Sequence, residues 1–341
     1  MLIKLKRYAW LFWLALPLML WWALGEVSLS KLWETLSDLR FWQVIVLLVF
    51  NLGIVSLFSL RGWIILHSLG YQLPYLRVAR YRLASFAVSY FTPGPQFGGE
   101  PLYVYWLRSH HQVPGSSALA AVSMDKIIEL LANFSFLVIG LGVVLWARLL
   151  PGLHLQSVMP ITLALVVLPA GYLAVLWGGR KPLARLARWS ALLRSPGGKA
   201  TRIFGFIQAA EGQMVDFCRQ KPLAFGLTVL LAFVVWGVSI GEYWLSARFL
   251  GLELSAVQVI AALTAARLAF LLPMPGGLGA LEVGQALAFQ AMGFDPVYGL
   301  SISLLIRARD VTFGLTGLFL GALAVRQQAF QAIPGESLRI I

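Results

Sequence analysis

Thr92-Pro-Gly-Pro-Gln-Phe-Gly-Gly-Glu100 and Leu272-Pro-Met-Pro-Gly-Gly-Leu-Gly-Ala-Leu-Glu282 are the two stretches that decide the fold. Each interrupts an apolar segment, Leu83–Leu107 in the first case and Val257–Met292 in the second. Prolines without amide donors and clustered glycines cannot sustain a continuous helix. Irregular backbone at membrane depth is tolerated where protein or a wet cavity surrounds it, and not against lipid. Each stretch is therefore predicted to join two half-helices that enter and leave the bilayer on the same side.

The surrounding composition demands a membrane. Of the 341 residues, 59% are hydrophobic and 12% charged, whereas a soluble domain carries roughly 25% charged residues. Working outward from the two breaks, apolar segments at Ala9–Leu24, Phe41–Leu66, Ser117–Ala147, Val158–Trp177, Leu223–Leu245 and Val297–Val325 read as spans. The prediction is an all-α integral membrane protein, one domain over 1–341, with about six transmembrane helices and two re-entrant segments. The run from Ala9 follows Lys4, Lys6 and Arg7 and resembles a signal peptide, but Trp21 and Trp22 beside the small residues favour an uncleaved first helix.

Charge sets the orientation. Lys and Arg number 27 against 14 Asp and Glu, a net +13. The excess falls between hydrophobic segments, above all in the 178–222 loop, which marks that loop and the Arg77–Arg82 region as cytoplasmic. No nucleic-acid module accompanies the charge, so anionic headgroups rather than nucleic acid are the expected partners. Three apolar segments lie between the two basic regions, and an even number must cross. The one containing Thr92–Glu100 is the one that does not. Both termini are predicted to be cytoplasmic, in a cell membrane. Leu183, Leu186, Trp189 and Leu193 recur at helical spacing in the basic loop, as in a helix lying on the inner leaflet.

The same reasoning applied after the loop makes the second broken segment re-entrant from the outer side. Span, broken pair and span thus occur twice in opposite orientation, over 41–147 and 223–325, the inverted-repeat plan of many secondary transporters. The sequence echoes itself accordingly. Arg82-Leu-Ala precedes the first break and Arg267-Leu-Ala the second, and each terminal Glu is followed one helix later by a charged cluster.

Those clusters are the candidate site. An ionisable group at the centre of a span costs about 2.5–3.5 kcal/mol or more, so it persists where paired or facing water. Glu100, Asp125, Lys126, Glu129, Glu282, Arg307, Arg309 and Asp310 qualify. Asp125 and Glu129 share a helix face, as do Arg307 and Asp310, and the faces could line one cavity or simply lock the repeats as ion pairs. Half-helix N-termini favour anions, and Gly98, Gly99, Gly276 and Gly277 would let backbone approach a ligand. Arg267 is expected to snorkel to the interface or to join the site. His67, His110, His111 and His154 fall at span ends as interface residues. Cys218 stands alone and no zinc spacing occurs, so no metal or cofactor is expected. Nor is there a nucleophile elbow, Walker loop or zincin helix.

Pro93-Gly-Pro-Gln-Phe-Gly-Gly-Glu100, Met124-Asp-Lys-Ile-Ile-Glu129, the Pro-Gly-Gly-x-Gly-x-x-Glu element ending at Glu282, and Leu305-Ile-Arg-Ala-Arg309 occur in order. Over about residues 5 to 325 the chain resembles the flippase-like family of the lysylphosphatidylglycerol synthase transmembrane region. The resemblance implies movement of lipids or lipid-linked intermediates between leaflets. In the fused multiple peptide resistance factor a separate soluble domain performs aminoacyl transfer, and the 341 residues read as a stand-alone member without one, so synthase activity is not expected. Lys126 stands where the family pattern expects Arg, keeping the charge but losing the bidentate fork.

The expected function is translocation of a lipid with a polar, anionic or aminoacylated headgroup, without enzymatic chemistry. Two alternatives use the same residues: a secondary transporter for a small anion, and an intramembrane enzyme or accessory subunit acting on lipid-linked sugars.

Overall fold

A computed structural model describes residues 30, 33–34, 37–92, 98–149, 155–193, 198–272 and 274–331. All regular structure among them is helical. The eleven helices are α1 (Phe41–Ser68), α2 (Tyr75–Phe91), α3 (Glu100–His111), α4 (Gly115–Trp146), α5 (Leu155–Trp177), α6 (Pro182–Leu193), α7 (Gly198–Gln220), α8 (Pro222–Phe249), α9 (Ala256–Leu271), α10 (Ala280–Ala291) and α11 (Pro296–Gln331).

Four of these, α1, α4, α5 and α8, are long and apolar enough to cross a bilayer. At 1.5 Å per residue, the 28 residues of α1 reach about 42 Å, beyond the ~30 Å hydrocarbon core. The outward face of α1 is hydrophobic: Val44, Ile45, Leu48, Val49 and Leu52 are all exposed, as lipid-facing positions must be. The predicted last span is α11, 36 residues long, whose midpoint carries Arg307, Arg309 and Asp310. The predicted first span, with Lys4, Lys6 and Arg7, lies outside the described residues, as does His154.

Both Pro/Gly stretches break the chain where expected. The first separates α2 from α3 and the second α9 from α10, leaving half-helices of 17, 12, 16 and 12 residues. None alone spans the core, and the two members of each pair pack on one another. At the first break, Thr92 folds its hydroxyl back to donate to the Val88 carbonyl at 2.7 Å, closing the end of α2. The second opens into a short 3-10 turn over Pro275–Gly277, with Gly276 at a left-handed φ of 54°. Upstream, Ser255 caps α9 in a reciprocal arrangement with Gln258.

The first half-helix begins earlier than the hydropathy pattern indicates. Arg77, Arg80 and Arg82, predicted to form a basic region before the first broken segment, are inside α2, which starts at Tyr75 directly after Pro74. Charge makes this stretch look like a loop. The helix tolerates it because partners wait on other helices: Arg80 Nε donates to the Leu320 carbonyl of α11 at 3.1 Å, and Arg82 joins the buried ion cluster described below.

Helix packing is reciprocal between the halves. α1 packs on α8, α2 on α11, and α9 on α4. A glycine permits close approach at both of the latter contacts. A side chain at Gly317 of α11 would collide with the Leu83 backbone of α2, and one at Gly140 of α4 with Thr264 of α9.

The basic 178–222 segment folds as α6 and α7, so Leu183, Leu186 and Leu193 do lie on a helix. Glu211 of α7 is buried and holds α6 by its start, accepting from the amides of Leu183 (2.9 Å) and Ala184 (2.8 Å) and from the Tyr172 hydroxyl of α5 at 2.9 Å. A carboxylate at a helix N-terminus satisfies orphan amides and opposes the dipole. Leu183, Leu186, Arg185 and Arg188 remain exposed.

Candidate functional site

Asp125 is the centre of a buried ion cluster. It lies on α4, 1% exposed, and accepts from Arg61 Nε of α1 at 2.5 Å and from Arg82 Nη1 of α2. One turn further along α4, Glu129 accepts from Arg61 Nη2 (3.2 Å), Arg82 Nη2 (2.6 Å) and Lys126 Nζ (3.0 Å). Lys126 also meets Glu100, the first residue of α3, at 3.2 Å. Three cations and three carboxylates from four helices thus balance. Such a balance is what burial requires, because an isolated ion in low dielectric is far more costly than a hydrogen-bonded pair.

The second half builds a looser counterpart. Arg307 of α11 grips Glu282 of α10 through Nε (3.0 Å) and Nη2 (2.6 Å), and it donates to the Gly276 carbonyl at 2.7 Å and the Tyr90 hydroxyl at 3.3 Å. Arg309 binds its neighbour Asp310 at 2.8 Å and reaches Glu242 of α8 at 3.4 Å and Asn51 of α1 at 3.3 Å. Asn51 in turn donates to Glu242 at 3.3 Å. The echo read from sequence becomes a matched geometry here. Lys126 meets the Glu that opens α3, Arg307 meets the Glu in the first turn of α10, and each has a carboxylate three residues on.

Between the halves lies a cavity of about 170 Å³. Arg82, Glu129, Arg267, Arg309 and Asp310 supply its charge, Asn51, Asn133 and Ser239 further polarity, and Phe58, Phe86, Phe270 and Phe313 apolar wall. A smaller pocket of about 60 Å³ adjoins it, sharing Arg82, Phe86 and Glu129 and adding Glu100, Lys126 and Tyr90. The lining positions fall near the midpoints of α1, α4 and α8, the depth at which transporter sites sit.

Of the residues proposed from sequence, Glu100, Asp125, Lys126 and Glu129 come together in the first cluster, and Glu129, Arg309 and Asp310 share the larger cavity. Glu282 and Arg307 do not line either space. They clamp the second break, and Glu282 Oε2 is buried without a hydrogen-bond partner among the described residues. The glycines also do something other than cradle a ligand. The Gly98 amide is taken by the Glu100 carboxylate and the Gly99 amide by Ser89 Oγ, both at 2.9 Å. A Cβ on Gly99 would strike the Ser85 backbone, one on Gly276 the Tyr90 ring, and one on Gly277 the Phe270 ring. Their smallness serves helix contact.

Of the two readings open for Arg267, the geometry fits the inward one: its guanidinium lies over the Trp236 ring, 4.4 Å from the centroid, and it lines the inter-half cavity. His111 is engaged too, in a 3.0 Å hydrogen bond with the Tyr81 hydroxyl.

Sequence reasoning missed Arg61, Glu242 and Asn51, and misplaced Arg82. A signal existed for the first two. Each is a lone ionisable group in the middle of an otherwise apolar span, which by energetic cost alone marks a functional or paired position.

Fold and cavity define a polytopic helical membrane protein with an ion-lined interior. Residues 10–317 match the family described as the lysylphosphatidylglycerol synthase TM region, and the chain belongs to that family. Among relatives, it is 22% identical over 322 residues to the UPF0104 membrane protein PH1989 of Pyrococcus horikoshii, covering 91% of this chain and 93% of that one. It is likewise 22% identical over 288 residues to the UPF0104 membrane protein MJ1595 of Methanocaldococcus jannaschii, covering 83% and 85%.

Proposed function

We propose that the protein is a lipid translocator of the cell membrane that carries a polar headgroup through the inter-half cavity while the acyl chains stay in the bilayer. The observation that carries this reading is the cavity itself. It is charged, lies at mid-span depth, and is walled by elements from both halves, including the half-helix residues Arg82 and Arg267. In this reading the halves are inverted repeats, 41–147 and 223–325, the breaks are re-entrant from opposite faces, and both termini are cytoplasmic. The substrate leaves chemically unchanged.

A lipid path, unlike a path for a small anion, needs an apolar flank. A groove of about 510 Å³ runs between α4 and the α9–α10 pair, lined by Leu141, Val144, Leu268, Leu272, Leu287 and Met292 among others. That groove supports a lipid over a soluble anion, the tails lying along it beside α9 in this reading.

Leaflet exchange of fluorescent anionic and aminoacylated phospholipids in proteoliposomes tests the reading. Wild type is expected to exceed empty liposomes, and Glu129→Gln to slow exchange by at least tenfold by leaving Arg82 and Lys126 short of charge at the cavity wall. Exchange no faster than in empty liposomes would refute the proposal, and a chemically altered lipid would point to the enzymatic alternative.

A further inference from the structure

The geometry points to a seat for a phosphate oxyanion formed by Arg267, Asn133 and Ser239 within the inter-half cavity. The argument is one of unspent donors. Three arginines and two carboxylates line the space. Glu129 already serves Arg61, Arg82 and Lys126, and Asp310 already serves Arg309. Arg267 is the cation left over: among the described residues it makes no ion pair within 4.0 Å and no hydrogen bond, with Asp310 and Glu129 acting on it only at longer range and the Trp236 ring beneath it. The Asn133 carboxamide and the Ser239 hydroxyl, on the walls of the same cavity, likewise have no hydrogen-bond partner there.

All three are partly exposed to the cavity, and a convergent set of free donors in a cavity marks a candidate binding position. These three arrive from three helices, α9, α4 and α8, so only the assembled fold brings them together. The guanidinium is also pre-positioned. Trp236 carries Arg267 and stacks on Phe136, with ring centroids 3.7 Å apart and planes 8° from parallel. Trp236 precedes Ser239 by three residues on α8, and Asn133 precedes Phe136 by three on α4, so the aromatic stack and the neutral donors share helix faces. A planar fork with five donors, held flat on an aromatic ring, matches phosphate geometry. The ligand class is a phosphate oxyanion, whether the ester of a lipid headgroup or free inorganic phosphate.

This inference deepens the translocation reading, but can stand or fall apart from it. Binding of short-chain phosphatidylglycerol, short-chain phosphatidylcholine and inorganic phosphate to detergent-purified protein would be measured calorimetrically for wild type and for Arg267→Gln, Arg267→Lys and Asn133→Leu. Phosphatidylglycerol is expected to bind wild type, to weaken about tenfold or more in Arg267→Gln, and to weaken less in Arg267→Lys and Asn133→Leu. Inorganic phosphate competing for the same seat would support the assignment and identify a free anion as a sufficient ligand. Should Arg267→Gln fail to fold, the Lys and Leu variants carry the test. Wild-type affinity in Arg267→Lys and Asn133→Leu together, or no binding of either phosphate ligand to wild type, would overturn the seat. Lipid that binds through Arg267 but does not change leaflet would leave the seat intact and remove translocation instead.

Discussion

The two halves use the same positions for opposite ends. In the first, the arginine of the leading half-helix, Arg82, is consumed by Asp125 and Glu129. In the second, the arginine of the leading half-helix, Arg267, forms no ion pair within 4.0 Å among the described residues and rests on Trp236. The first half is a closed ionic knot joining α1, α2, α3 and α4. The second leaves the Arg267 cation and the Ser239 hydroxyl facing the cavity, across from Asn133 of α4. A buried ion cluster that is fully paired fixes geometry but offers a ligand nothing. A single unpaired guanidinium in the same cavity offers it a reason to enter. On the proposed phosphate seat, the first half supplies mainly the ionic lock, and the second supplies the cation that would recognise the ligand, with Asn133 of α4 contributing from the other side.

That division predicts a graded response to neutralising one group at a time, read as the thermal unfolding midpoint in detergent. Asp125→Asn should be the most damaging. It strips two arginines of a shared carboxylate at a position 1% exposed, and breaking a buried pair from one side costs about 3–5 kcal/mol. Glu282→Gln should cost less, about 2 kcal/mol, because Arg307 keeps the Gly276 carbonyl and the Tyr90 hydroxyl. Arg267→Gln should cost least, about 1 kcal/mol for the lost aromatic contact, while weakening phosphate-ligand binding the most. A reversed order, with Arg267→Gln the least stable, would break the comparison. Equal effects of Asp125→Asn and Glu282→Gln would show that the knot is no tighter than the clamp.

Much of the fold was legible because its signals are local. Proline and glycine break helices wherever they cluster, so Pro93–Gly99 and Pro273–Gly279 announced the half-helices. Length and hydropathy announced α1, α4, α5 and α8. The ion partners were less legible, since pairing is a property of packing. Nothing near Arg61 in the chain names Asp125, and nothing near Glu242 names Arg309. Arg82 was read as lying just outside the first broken segment because hydropathy weighs a charge by its cost in lipid, and cannot see a carboxylate on another helix that removes that cost. Gly99 was legible as a special position but not for its reason, because the Ser85 backbone that crowds it comes from the opposite half-helix. Arg267 shows the limit in its clearest form. That it forms no ion pair or hydrogen bond among the described residues is something only the folded arrangement can show.

The central claim is that a headgroup passes through the cavity between the halves. Ser239 lies on its wall, and Cys218, the one native thiol, is buried elsewhere on α7. A Ser239→Cys variant in a Cys218→Ser background, reconstituted in liposomes, would be assayed for leaflet exchange of fluorescent phosphatidylglycerol before and after treatment with a bulky methanethiosulfonate. The account predicts that exchange stops on modification and returns on reduction. Exchange at an undiminished rate through a fully modified cavity would contradict it.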